Sequence, residues 1–136
     1  MRRSPDVIIR TPAGDYLRRW WVLPRNRWCN VYLHQFLRSD DDRALHDHPW
    51  CNLSILLLGM YREHQPGGVV KLRLPWRPWA FWRLPFRRAS QAHRVELIDG
   101  KPVWTLFLTG PTVRKWGFIC PSDWVPWETF DAMGGC

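Results

Sequence analysis

Two histidines stand one residue apart, His46 and His48, and a third stands at His93. On a strand, residues i and i+2 point to the same face, so His46 and His48 can reach one metal ion together. Three neutral imidazoles suit a first-row divalent metal and leave it open positions for water, substrate or oxygen. Iron leads the candidates, with zinc, manganese and nickel behind it. Asn52 follows shortly after the pair and can add a weak carbonyl ligand or hold a water. Because Asn52 is uncharged, such a site keeps the ion's full +2 charge, which favours an anionic ligand and makes bound water more acidic. Each histidine taken alone is more often a hydrogen-bonded core or surface residue. Only the spacing of the set argues for metal.

The stretch around the pair, His46-Asp47-His48-Pro49-Trp50-Cys51-Asn52-Leu53-Ser54-Ile55-Leu56-Leu57-Leu58-Gly59, resembles the first motif of the cupin superfamily. That motif is His-x-His, three or four residues, Glu, six residues, Gly. Its spacing is met throughout, with Asn52 at the glutamate position. His93 resembles the histidine of the second cupin motif, although Arg88 and Ser90 replace its Pro and Gly. Further stretches (Leu33–Asp40, Gly59–His64, His93–Val95, Trp104–Gly110 and Trp116–Phe118) are similar to a group of small bacterial and phage cupins. The resemblance implies an all-β fold, a cupin-type double-stranded β-helix or jelly-roll barrel, with His46, His48 and His93 on neighbouring strands. Three-histidine cupins that act as thiol dioxygenases look similar at the ligands. Metal-free sugar-nucleotide isomerases and epimerases also use this barrel, with histidine as acid–base.

The elements that must position these residues are short. Val7–Ile9 followed by Thr11–Asp15 reads as a strand and a turn, and Tyr16–Leu23 as a second strand ending at Pro24. Cys29–Leu37 alternates in the manner of a sandwich strand. Pro49 interrupts pairing after the histidines, and Leu53–Leu58 is a run of strand formers closed by Gly59. If a two-residue loop at Gly59 makes a hairpin, Tyr61 and Glu63 share the face of Asn52, Ser54 and Leu56. Glu63 is then an inward carboxylate that needs an arginine, a metal-bound water or a substrate as partner. Glu63, Tyr61 and Arg94 are the candidate catalytic residues. His93–Leu97 and Val103–Thr109, joined by Asp99-Gly100, read as the clearest hairpin in the chain. Arg114–Phe118 reads as a last strand, and Ser122 or Asp123 as the cap of a short helix carrying Trp124, Trp127 and Phe130.

Composition bounds the partners. The chain has 136 residues, which suits one domain with a core near residues 31–130 and strands before it at 5–24. Twelve prolines and eleven tryptophans favour short strands and loops over long helices. No run is long enough for a membrane span, and Met1–Asp6 lacks the apolar core of a signal peptide, so a cytoplasmic protein is expected. Cys29, Cys51, Cys120 and Cys136 have no Cys-x-x-Cys spacing and are expected as free thiols. The charge of +8 invites nucleic acid, and Lys71–Arg88 interleaves basic and aromatic residues. Its prolines argue instead for short strands with arginines lying over tryptophan faces. Nucleic acid is therefore disfavoured against a small anionic ligand, and a homodimer is left open.

The charged loop Arg38–Arg43 is either a solvated turn of Asp–Arg pairs or a rim facing the substrate. Arg38, Arg43, Arg94 and Arg114 are the candidate second anchors for an anion, although alternation puts Arg94 opposite His93. His34, His64 and Cys51 are weaker candidates for the site, and Asp47 should point away from the metal. These features suit a metal-binding cupin, foremost a non-haem iron(II) oxygenase acting on a small anionic molecule. The alternatives are an isomerase- or epimerase-like cupin and a non-catalytic ligand-binding module.

Overall fold

The computed structural model describes residues 3–40, 44–79 and 84–136. Twelve strands carry the fold: β1 (Val7–Thr11), β2 (Gly14–Trp21), β3 (Asn30–Phe36), β4 (Leu45–His46), β5 (Asn52–Leu58), β6 (Tyr61–Gln65), β7 (Val69–Arg73), β8 (Phe86–Arg87), β9 (Arg94–Leu97), β10 (Val103–Thr109), β11 (Gly117–Ile119) and β12 (Trp124–Pro126). A short helix, α1 (Trp127–Met133), ends the chain. The expected all-β jelly roll with one C-terminal helix is what the strands form. No helix among the described residues is long and apolar enough to cross a membrane.

One face is a six-stranded antiparallel sheet in the order β1-β2-β3-β10-β5-β8. The other consists of two three-stranded ladders, β12-β11-β4 and β7-β6-β9. The ladders meet at an antiparallel bridge between His46 and His93. Each residue donates its N–H to the other's carbonyl at 2.9 Å. Two of the three candidate ligands are therefore joined through their backbones at the seam of this face. Between the faces, Leu56, Tyr61, Val95, Leu97 and Val103 form one core cluster. Phe118, Cys120 and Phe130 form another beneath the C-terminal helix.

Two expected hairpins are not hairpins. β9 pairs with β6, while β10 lies between β3 and β5, so the Asp99-Gly100 turn carries the chain from one face to the other. β10 has partners along both edges and no edge left for β9. Likewise β5 and β6 lie in different sheets, although only Gly59 and Met60 separate them. The parity expected from a hairpin survives nonetheless. Asn52, Ser54, Leu56, Tyr61 and Glu63 are all buried, because the crossing turns each strand's inner face toward the same interior.

The C-terminal region differs in detail. The helix starts at Trp127 behind Pro126 with no side-chain cap, and Trp124 sits in β12. The Asp123 carboxylate accepts from the N–H of Trp124, and its carbonyl from the N–H of Cys120. Phe130 stacks on Phe118 with ring centroids 3.7 Å apart. Cys120 and Cys136 form a disulfide across 16 residues of sequence, correcting the expectation of four free thiols. Cys29 and Cys51 are free. In the basic aromatic stretch, β7 and β8 are the strands described, and residues 80–83 lie outside the described residues.

Gly59 makes the face-to-face crossing possible. Its φ is +86°, and a Cβ there would lie 2.8 Å from Val103 Cγ1 and 3.0 Å from the Pro102 carbonyl. Gly59→Ala combines left-handed strain with a clash against the most deeply buried valine. We expect it to cost about 1–3 kcal/mol from the backbone alone, read as a lower urea midpoint at unchanged slope. An unaltered midpoint would contradict this close approach.

Candidate metal centre

His46 is placed by pairing on both sides, to Phe118 of β11 and to His93. Two residues on, His48 donates its N–H to the Ala89 carbonyl at 3.0 Å, so the loop before His93 also holds the second ligand. Pro49 has no N–H for a ladder, but its carbonyl accepts from Val113 and Arg114. His46, His48 and His93 each direct one ring nitrogen into a common point, with all three atoms within 4.8 Å of one another. His48 Nε2 and His93 Nε2 are 2.9 Å apart. Two nitrogens bound at right angles to one ion at ~2.1 Å would stand ~3 Å apart. The spacing suits shared coordination.

The outer ring nitrogens of His93 and His46 face carboxylates, the usual support for metal-binding imidazoles. His93 Nδ1 lies 3.2 Å from Glu63 Oε1, off the line of a full hydrogen bond. His46 Nδ1 lies 3.6 Å from Asp40 Oδ2. Asp40 is fixed in turn by the Val95 N–H at 2.7 Å and by the Tyr16 hydroxyl. Asp40 thus turns inward instead of making the surface Asp–Arg pair of a solvated loop. Asp41, Asp42 and Arg43 lie outside the described residues.

Glu63 is fully buried, as expected of an inward carboxylate, and its partners are arginines. Arg87 Nε donates to Oε1 at 2.6 Å and Arg73 Nε to Oε2 at 2.7 Å, with further guanidinium contacts from both. Burial pushes this carboxyl up, but His93, Arg87 and Arg73 outweigh it and hold the group well below the ordinary carboxylate range. Burial pushes His93 down to about 4 against the opposing pull of Glu63, helped by Arg87 and His46. Burial also holds His48 far below the usual histidine value, with the other two imidazoles and Arg87 adding to it. At neutral pH these two rings are neutral, as ligands must be.

The imidazoles open onto a cavity of about 270 Å³. Phe36, Trp50, Val95, Phe107 and Trp116 give it apolar walls. Trp50 stacks on His48 with ring centroids 5.0 Å apart. Tyr61 lines the cavity, buried beside Arg87 and Glu63, and its hydroxyl is raised above the ordinary phenol value by burial. Asn52 is buried at the start of β5, on the face that carries Ser54 into the cavity wall. Neither its amide oxygen nor its amide nitrogen has a partner among the described residues. Such an orphaned amide calls for a water or an ion.

The other singled-out residues lie elsewhere. Asp47 points away from the histidines, accepting from the Gly117 N–H, Trp124 Nε1 and Arg114. Arg114 is thereby committed to Asp47. Arg94 sits opposite His64 on β6 and alternates with cavity-lining Val95, so it does not reach the cavity. Arg38 lies against Gly14 and outside the cavity wall. His64 bonds Glu96 on the outer surface at 2.6 Å. Cys51 is half-buried, and its carbonyl accepts from Gly110. His34 does join the cavity wall, together with Arg19. Arg19, Asp40, Arg73 and Arg87 were not singled out from the sequence. The need of Glu63 for a cation was the one pointer to any of them.

No family model matches the chain, and neither does any curated protein. Solved structures do. A cupin-2 domain from Rhodospirillum rubrum superimposes at TM-score 0.66 and 12% identity, over 97% of this chain and 86% of its own. The chain folds as a cupin. A conserved protein with a double-stranded β-helix domain from Klebsiella pneumoniae matches at TM-score 0.59 and 16% identity, over 82% of this cupin and 90% of its own length. The DMSP lyase DddQ from Ruegeria pomeroyi matches at TM-score 0.59 and 13% identity, over 90% of this chain but 61% of the lyase. At such identities the likeness is one of fold.

The buried charges give the protein an acid-sensitive stability. A lowered histidine pKa means that, below 6.5, the unfolded chain binds a proton the folded one refuses, so stability falls from there toward pH 4. A lowered carboxyl pKa means that Glu63 contributes stability above its ordinary 4.5 and loses it as pH falls further. In metal-free protein, His93→Gln should flatten the first decline and Glu63→Gln the second, measured by urea unfolding at each pH. At neutral pH Glu63→Gln should also cost about 3–5 kcal/mol, because two guanidiniums lose their counter-charge. A variant as stable as wild type at pH 7 would contradict the buried pairing.

Proposed function

We propose that this cupin holds one divalent first-row metal on His46, His48 and His93 and is a non-haem, iron(II)-type oxygenase for a small anionic molecule. The observation that carries the proposal is the convergence of three ring nitrogens on one point at an apolar cavity. An iron ion bound there supplies Lewis acidity and one-electron chemistry. The chain's own residues do the rest. Glu63 and Asp40 orient His93 and His46, and the buried amide of Asn52, without a partner among the described residues, has donor and acceptor free for a water. Tyr61 keeps its proton at neutral pH, so it can donate to a bound oxygen atom but not act as a base. The aromatic walls exclude water from the reacting groups. With neutral ligands the ion keeps its charge, and an anion completes it more readily than a neutral molecule.

The cavity's size also bears on the alternatives. At about 270 Å³ it falls just under the roughly 300–1,000 Å³ of sites for drug-sized ligands. That argues against a sugar nucleotide and for a smaller compound.

Elemental analysis of protein purified without a histidine tag should find about one ion per chain after reconstitution. His93→Ala should lower metal affinity by more than the roughly 10–100-fold that loss of a supporting hydrogen-bond partner costs. Asn52→Asp should tighten metal binding and weaken azide binding measured by calorimetry, because the added charge acts oppositely on the two. Undiminished metal in His93→Ala would defeat the proposal. So would the absence of metal from wild type after reconstitution with iron, zinc, manganese and nickel.

A further inference from the structure

We propose that Arg19, held by His34, is a carboxylate-binding subsite in the wall of the same cavity, so that the ligand is a small carboxylic acid with an apolar body. This deepens the metal-site reading and rests on it only for the ligand's other end. Two guanidiniums among the described residues line the cavity, Arg19 and Arg87. Arg87 is spent on Glu63. Arg19 has no carboxylate partner among the described residues. Its Nε donates to His34 Nε2 at 2.9 Å, and its guanidinium lies over the Tyr32 ring at 4.6 Å. Burial works against its charge, and no acid offsets that cost.

The fold holds this pair in place. Arg19 and His34 are register partners on β2 and β3, and His34 pairs across to Thr105 on β10. The His34 ring stacks on Phe107 at 4.9 Å, and Phe107 lies 6.3 Å from His48. One aromatic side chain therefore links the arginine to the metal-site histidines along the cavity wall. Accepting at Nε2 makes His34 neutral, with its proton on Nδ1, and burial keeps it in that state. His34 Nδ1 is itself buried without a partner, so this wall carries a second donor in need of an acceptor.

A carboxylate matches these donors. With Nε engaged, Arg19 offers the pair of Nη groups, a fork that a planar carboxylate meets with two parallel bonds. A carboxylate carries acceptors only and supplies the missing negative charge. The aromatic walls then receive an apolar body. Phosphate would bring more charge and more acceptors than one arginine and one imidazole can satisfy.

The probes are 3-methylbutanoate, its uncharged amide and inorganic phosphate. Each is titrated by calorimetry into zinc-loaded protein and by NMR into metal-free protein. Wild type should bind the carboxylate at least about tenfold more tightly than the amide in both forms, as charge-assisted bonds imply. Arg19→Met should abolish that preference while leaving zinc content and amide binding unchanged. Arg19→Lys keeps charge without the fork and should fall between, and it carries the test if Arg19→Met does not fold. His34→Gln, which retains an acceptor for Arg19, should keep most of the preference. Equal carboxylate binding by wild type and Arg19→Met would overturn the subsite, as would Arg19-dependent binding of phosphate more tightly than carboxylate. Should wild type take up no zinc, the metal reading fails, and the metal-free titrations still decide on Arg19.

Discussion

The buried carboxylate of Glu63 is the constraint on which the rest of the site depends. It belongs to β6, on the face built from two ladders, yet one of its arginines is on β8, at the edge of the opposite sheet. The other is on β7, beside it. One fully buried charge thus clamps the two faces of the barrel and lies against His93 of the histidine cluster. A buried ion pair is a poor source of net stability, because desolvation consumes most of the attraction. Its value here is in specification. Arg87 cannot withdraw without leaving Glu63 Oε1, the oxygen beside His93, without its guanidinium, so the spacing between faces and the orientation of His93 are set together. The same cluster keeps His93 and His48 neutral through the positive charge of Arg87 and through burial.

Much of the site is legible in local spacing. His46 and His48 are two residues apart, and strand periodicity suffices to aim them together. The inward placement of Glu63 follows from the same periodicity. It holds although β5 and β6 do not pair, because both strands show their inner face to one interior. Strand parity survives an error of topology. Pairing does not. The β9–β10 segment has every local mark of a hairpin, with alternation on both sides of Asp99-Gly100, and Asp99 even adopts a φ of +54°. What sends the two strands to opposite faces is competition for edges: β3 and β5 occupy both sides of β10, and β6 occupies β9.

The cations show the limit more sharply. Two arginines singled out from the sequence, Arg94 and Arg114, are diverted, one to the outer face and one to Asp47. Those lining the cavity, Arg19 and Arg87, come from β2 and β8. A long side chain's destination depends on which carboxylate or aromatic face the fold brings within reach, and twenty basic residues offer too many choices for spacing to select among. The Cys120–Cys136 disulfide was hidden for the same reason. It joins the end of β11 to the chain terminus only because α1 folds back over Phe118.

Charge then explains why these separated parts make one site. Three imidazoles and an arginine without an acid among the described residues line a cavity whose walls are otherwise mostly apolar. Every nearby carboxylate among the described residues is already committed: Glu63 to its arginines, Asp40 to Tyr16, Val95 and His46, Asp47 to the far side of β4. The protein has placed its acids so that they orient the ligands without neutralising the space the ligands face. In a medium of low polarity, positive potential of that kind is costly to leave uncompensated. An anion in the cavity would restore the balance, and Asn52, buried and uncharged, adds no carboxylate to this interior.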